Sequence, residues 1–145
     1  MENLLSKIEL SIIIVNYNGL KYLKDCFDSI YKKCENISFE IVVVDNNSSD
    51  ESCAFIKQKY PEITLIESKQ NLGFAGGNNI GAKKAKGKYL LLLNNDTILV
   101  DEIYSIISTF KKNNKIGVVG IKMLNKNKEY LPSVGRFPSP FKLLK

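Results

Sequence analysis

Three short polar clusters hold the side chains of this 145-residue chain best suited to grip a ligand. They are Asn16, Tyr17 and Asn18; Asp45, Asn46 and Asn47; and Asn94, Asn95 and Asp96, each directly after an apolar run. A carboxylate at Asp45 can accept a hydrogen bond from a pyrimidine ring N–H or a ribose hydroxyl. One at Asp96 can ligate Mg2+ or Mn2+, hard cations often held by one or two carboxylates plus substrate phosphates. A fourth segment, Asn71 to Asn79, contains Gly73, Phe74, Gly76 and Gly77. A glycine-rich loop lets backbone approach a ligand closely, and the helix it opens has an N-terminus that favours anions. Loops also favour Asn and Asp for turn geometry alone, and Gly76–Gly77 would serve as a simple tight turn. Three such clusters at one edge of a sheet are harder to explain that way. Gly81 suits close helix–sheet packing whatever the function.

The elements that must position these residues follow from periodicity. Leu10 to Val15 is a continuous apolar run that reads as a strand buried on both faces, Phe39 to Val44 and Lys88 to Leu93 read as further buried strands, and Ile116 to Ile121 reads as the last strand. Ile63 to Glu67 is a weaker, alternating strand. Leu20, Leu23, Phe27, Ile30 and Tyr31 recur at helical spacing, for about three turns. A second helix, capped by the polar turn Asp45 to Asp50, runs to about Tyr60 and is stopped by Pro61. A third leads from the glycine-rich loop through Ala85, with Gly87 suited to a left-handed cap. A fourth covers roughly Asp101 to Asn113. The order βαβαβαβαβ predicts an α/β fold: a Rossmann-like, mostly parallel sheet with helices on both faces. Ligands bind outside the carboxyl ends of the strands in such a sheet, where the three polar clusters fall.

Composition narrows the chemistry. Hydrophobic residues at 44% and charged residues at 25% suit one globular domain. The net charge is +6, yet of 21 basic residues only Arg136 is arginine, and the lysines form no single run. That argues against nucleic-acid reading, which favours the planar guanidinium, and leaves solvated helix faces or a surface near anionic lipid or substrate. The lack of histidine excludes Ser-His-Asp and Cys-His catalysis and His-ligated zinc within the chain. Cys26, Cys34 and Cys53 lack metal-type spacing and read as reduced structural thiols. Neither a signal peptide nor an apolar run long enough to span a bilayer is visible.

The four motifs together resemble family 2 glycosyltransferases. Ser11 to Asn18 is similar to that family's opening strand, Ile41 to Asp50 to its second strand with a base-binding aspartate, Asn71 to Gly81 to its asparagine–glycine loop, and Leu91 to Thr97 to the segment bearing its Asp-x-Asp-type metal motif. Order and spacing agree across roughly residues 10 to 121. The resemblance implies the GT-A fold and a nucleotide-sugar site formed by Asn16, Tyr17, Asn18, Asp45, Asn47, Asn71, Gly73, Phe74, Gly77, Asn79, Asn94 and Asn95. Tyr17 would contact the base and Asp45 hydrogen-bond it, while Asn79 would help shape the pocket. Asp96 would hold Mg2+ or Mn2+. Asn94 stands where the first acid of Asp-x-Asp is expected and brings no charge. Asn-x-Asp, and a tail like Pro132 to Pro138, resemble the rhamnosyltransferase-like branch.

The family's reaction is inverting, metal-dependent transfer from a dTDP-, UDP- or GDP-sugar to a saccharide or lipid-linked acceptor. It implies a cytoplasmic enzyme, with peripheral contact at the inner face of the membrane. In the family the general base lies in a later, acceptor-binding half. The expected layout is therefore an N-terminal extension at 1–9, a nucleotide-sugar-binding domain at 10–121, and the start of an incomplete acceptor-side region at 122–145. On that layout the chain is truncated, its general base is not assigned, and the sequence supports donor binding better than turnover by this chain alone. The competing reading is a truncated, noncatalytic module that binds a nucleotide, a membrane or a partner. Another nucleotide-binding α/β enzyme, such as a nucleotidyltransferase or a dinucleotide binder, is disfavoured because no G-x-G-x-x-G follows the first strand and no P-loop is present.

Overall fold

The computed structural model describes residues 8–131. Four strands, β1 (Leu10–Asn16), β2 (Phe39–Asp45), β3 (Thr64–Glu67) and β4 (Tyr89–Asn94), form one parallel sheet in the order β3-β2-β1-β4. Helices α1 (Leu20–Lys33), α2 (Ser52–Lys59), α3 (Gly73–Lys84) and α4 (Tyr104–Lys112) follow them in turn. A compact unit ends at Ile107, and a smaller one begins at Ser108. In the smaller unit, β5 (Met123–Leu124) and β6 (Tyr130–Leu131) pair as an antiparallel hairpin. The Asn125 side chain accepts the Asn127 and Glu129 amides within its turn.

The sheet is covered on both faces by different means. On one face Ile12, Ile14, Ile41 and Val43 pack with Leu23, Phe27 and Ile30 of α1 and Ile56 of α2. Large apolar side chains fill that layer, the dominant stabilising term in a small domain. On the other face α3 lies on β1 and β2 through glycines. A Cβ at Gly81 would come 2.4 Å from Ile13 Cγ2, and one at Gly77 would come 2.8 Å from Val15 Cγ1. The helix therefore sits almost on the strand backbone, and its N-terminal turn lies beside the carboxyl ends of β1 and β2.

Register places the polar clusters together. Asn16 pairs with Asp45, Val15 with Asn94, and Asp45 with Glu67. Parallel strands that end in step bring the segments after β1, β2 and β4 to one rim.

Four expectations are corrected. Residues 116–121 form no strand: Val118 is 89% exposed, and the Cβ positions of Gly117 and Gly120 face open space. A short apolar run becomes a strand only when it finds a partner, and two glycines weaken that preference. β4 is buried on one face rather than both, since Leu90 and Leu92 are about half exposed where α3 covers β1 and β2 instead. Gly73 to Asn79 is the first half of α3, not a loop. Gly87 is no left-handed cap; a Cβ there would meet the β1 backbone, 2.5 Å from Ser11 N. The tail motif Pro132 to Pro138 and residues 1–7 lie outside the described residues.

The cysteines are free thiols, Cys26 and Cys34 buried and Cys53 half-buried. Burial pushes the thiols of Cys26 and Cys53 up to about 12 and that of Cys34 to about 11; at Cys53 the Asp45 and Glu67 carboxylates add to the effect. Folding thus holds protons that the unfolded chain releases above the ordinary thiol value of 9.0. Stability is expected to be insensitive to these groups below that value and to fall as pH rises past it, measured as a lower urea midpoint at pH 10 than at pH 8. Iodoacetamide should label the native thiols slowly at pH 8 and the urea-unfolded thiols fast. Gly81→Ala should destabilise the domain by about 1–3 kcal/mol in urea titrations, because Ile13 is fully buried and cannot yield.

Candidate functional site

The rim is organised around one buried amide. Asn16, the last residue of β1, is fully buried. Its Nδ2 donates to Asp45 Oδ1 and to Ser48 Oγ, both at 3.2 Å, and its Oδ1 accepts from Asn95 Nδ2 at 2.8 Å. A single side chain thereby joins the ends of β1, β2 and β4. Asp45 is 2% exposed, and its Oδ2 accepts the Ser48 amide at 2.9 Å. Both oxygens of this carboxylate serve the protein itself.

The loops after β1 and β2 are zipped together. Ser48 Oγ accepts the Asn18 amide at 2.9 Å, and Asn18 Oδ1 accepts the Ser49 amide at 2.8 Å. Asn18 and Asn47 take left-handed backbone angles (φ 50° and 67°), which asparagine tolerates better than most residues. Asp50 accepts the first amides of two helices, Leu20 of α1 and Ser52 of α2. Burial pushes its carboxyl up, but the hydrogen bonds from Ser52 and Leu20 outweigh this and hold it below the usual range.

A cavity of ≈ 300 Å³ opens above this frame, lined by Val15, Tyr17, Asn46, Asn71, Gly73, Phe74 and Asn95. Its polar groups are carboxamides, and its aromatic residues, Tyr17 and Phe74, are more than half exposed. Asn46 clamps the start of α3: its Nδ2 donates to Gly73 O at 3.0 Å, and its Oδ1 accepts the Leu72 amide at 3.3 Å. Gly73 has φ 71°, a left-handed angle that glycine adopts freely, and its amide donates to Asn71 Oδ1.

Asp96 lies exposed in the turn after β4, next to Asn95. Thr97 N donates to Asn94 O, and the Cys26 thiol of α1 donates weakly to the same carbonyl at 3.8 Å. Among the described residues no group of three or more His, Cys, Asp or Glu converges. The local donors are the Asp96 carboxylate and the exposed Asn94 carboxamide oxygen, while the Asn95 carboxamide is engaged with Asn16. Such a hard, sparse oxygen set suits Mg2+ or Mn2+ when phosphates supply further ligands, and suits no softer metal.

Of the residues singled out from sequence, Tyr17, Asn71, Gly73, Phe74 and Asn95 line the cavity. Asn16 and Asp45 lie beneath it as the brace, and Asn18 and Asn47 belong to the zipped loops. Gly77 serves helix packing on Val15. Asn79 is exposed on α3, Asn94 is exposed at the end of β4 and Asp96 in the turn after it, none of them in the cavity wall. Sequence reasoning placed Asn46 in a polar cluster without giving it a role of its own, and missed Ser48 and Gly19. Strand alternation carried a signal for Asn46: once Asp45 pairs inward with Asn16, its neighbour must turn the other way.

Known proteins share the sequence pattern and the fold. The family model described as Glycosyl transferase family 2 matches residues 11–143. Minor teichoic acid biosynthesis protein GgaB of Bacillus subtilis (strain 168) is 31% identical over 121 residues, 78% of this chain and 13% of GgaB. The crystal structure of S. aureus TarS superposes with a TM-score of 0.71 at 26% identity, covering 87% of this chain and 23% of that one; TarS 1-349 has also been solved with UDP-GlcNAc (TM-score 0.58, 26% identity, 72% of this chain, 31% of that one). The mannosyltransferase PcManGT from Pyrobaculum calidifontis, solved with GDP-Man and Mn2+, shares the fold (TM-score 0.61, 21% identity, 70% of this chain, 31% of that one). The chain thus spans under a third of each of these proteins.

Asn46→Ala should free the Leu72 amide and the Gly73 carbonyl together. The expected cost is about 1–2 kcal/mol, with faster hydrogen exchange confined to Leu72 and the first turn of α3.

Proposed function

This chain belongs to glycosyl transferase family 2, and on that premise we propose that its rim binds the nucleoside diphosphate of a sugar donor together with Mg2+ or Mn2+. The observation that carries the reading is the cavity at the carboxyl edge of the sheet, walled by exposed Tyr17 and Phe74, floored by carboxamides, and adjoining the Asp96 turn through Asn95.

In this reading the base stacks against Tyr17 and Phe74, since exposed aromatic faces bind nucleobases without strict sequence demands. Asn46 and Asn71 offer amide edges to it, and Asp45 acts from below by fixing Asn16 and Ser48. The diphosphate runs toward the N-terminal turn of α3 and toward Asp96, where helix amides and a bound cation both favour negative charge. The donors of TarS and PcManGT, UDP-GlcNAc and GDP-Man with Mn2+, support a UDP- or GDP-sugar, and the Asn-x-Asp pattern adds dTDP-sugars of the rhamnosyltransferase-like branch.

The reaction that follows is inverting transfer to a saccharide or lipid-linked acceptor in cell-surface polysaccharide synthesis, in keeping with the teichoic acid role in the name of GgaB. An acceptor hydroxyl attacks the anomeric carbon from the face opposite the diphosphate and gives its proton to a general base, a role assigned to no residue of this chain. The glycosidic C–O bond to phosphate breaks with its electron pair leaving on the diphosphate, and the sugar carries positive charge in between. A bound divalent cation supplies charge neutralisation for the departing diphosphate. The chain's own residues hold the donor still for that displacement. No described helix is long and apolar enough to cross a membrane; we place the enzyme at the cytoplasmic face, its lysines toward anionic headgroups.

Calorimetric titration with UDP, dTDP and GDP, each with and without Mn2+, tests the reading. At least one nucleotide should bind, and Mn2+ should tighten it. Tyr17→Ala should weaken binding by about tenfold, the scale of one lost base stack. Asp96→Ala should leave metal-free binding intact and abolish the gain from Mn2+. A folded protein that binds none of the three nucleotides overturns the proposal.

A further inference from the structure

We infer that Asn16 is a positioning residue that couples the turn carrying Asp96 to the nucleotide rim, and that Gly19 is glycine to leave room for that coupling. The inference rests on the nucleotide-and-metal reading above.

Asn95 occupies two places at once. It lines the cavity, and it immediately precedes Asp96. Its side-chain nitrogen is held by Asn16 Oδ1 at 2.8 Å. The orientation of the Asn16 amide is dictated from the other side, because Asp45 Oδ1 can only accept and requires the Nδ2 end. A flipped Asn16 would set oxygen against oxygen at Asp45 and nitrogen against nitrogen at Asn95. Polarity therefore runs in one sense from Asp45 through Asn16 to Asn95. Asn16 is fully buried and cannot swing away, whereas Asn95 is partly exposed and can.

Gly19 supplies an independent observation. A Cβ at this position would come 2.1 Å from Asn95 Nδ2 and 2.4 Å from Asn16 Oδ1, the two atoms of the hydrogen bond itself. Its backbone, at φ −106° and ψ 12°, is open to alanine. Glycine is required here by the space the amide pair occupies and not by conformation. Neither Gly19 nor Asn16 lines the cavity. A nucleotide that fills the cavity against Asn95 steadies the Asp96 turn, and a cation on that turn steadies Asn95 in return, since coupling between two sites is reciprocal.

The test is calorimetric titration of the full chain with UDP and with GDP, with and without Mn2+, for wild type, Gly19→Ala and Asn95→Ala. The readout is the ratio of affinities with and without Mn2+, which cancels any direct contact that Asn95 makes with the nucleotide. Wild type is expected to gain about tenfold or more from Mn2+. Gly19→Ala should keep metal-free affinity within about threefold and lose most of that gain, and Asn95→Ala should lose it as well. Side-chain amide NMR checks the cause without a ligand: the Asn95 NH2 protons should exchange slowly in wild type and fast in Gly19→Ala. Should Gly19→Ala fail to fold, the Asn95→Ala ratio decides alone. A full Mn2+ gain in Asn95→Ala, or in folded Gly19→Ala, overturns the coupling while leaving the nucleotide-and-metal reading in place. Wild type that binds neither nucleotide, or gains nothing from Mn2+, overturns both.

Discussion

A buried carboxamide that has no water to turn to must find all its partners in the protein, and Asn16, at the end of β1, finds them at the ends of two neighbouring strands, β2 and β4. Leaving such a group half satisfied costs about 1–3 kcal/mol, a large part of a small domain's stability. The register of β1 with β2 and of β1 with β4 is thereby fixed at the rim as well as in the apolar core. A slip of one residue would turn the apolar faces over and also strand the amide. The same constraint selects Ser48 as the second acceptor and Gly19 as the residue that stays out of the way.

Charge is used sparingly around this frame. The carboxylates of Asp45 and Asp50 are spent on backbone and side-chain N–H groups, stapling the loops after β1 and β2 and capping two helices. The cavity wall that results carries no ionised side chain. Asp96 stands apart, exposed in the next turn. On the proposed reading, a rim divided in this way separates a neutral, aromatic region suited to a base from a single carboxylate suited to a cation shared with phosphate.

The two faces of the sheet serve different ends. The α1 and α2 face supplies burial through large side chains, with the shielded thiols of Cys26 and Cys34 among them. The α3 face gives up side-chain volume at Gly77 and Gly81 so that the helix can lie close to β1 and β2. Close approach brings the first turn of α3 within reach of the Asn46 amide, which is how a helix terminus comes to form one wall of the cavity.

Much of this was legible in the residues alone. Apolar runs of β-branched side chains fixed β1 and β2, helical spacing fixed α1, and the order of elements fixed a parallel sheet whose carboxyl edge must carry Asn16, Asp45 and Asn95. These depend on local preference and on the alternation of strands with helices, both written in the linear chain. Tertiary structure decided the remainder. Whether residues 116–121 became a strand depended on finding a partner, and whether Gly73 to Asn79 became helix depended on its fit to Val15 and Ile13. Above all, sequence placed Asp45 at the rim but not the direction of its oxygens. Hydrogen bonds between residues some 30 and 80 positions apart have no local signature, so only the folded chain could join Asp45 to Asn16 and Asn16 to Asn95 and turn Asn46 toward the cavity.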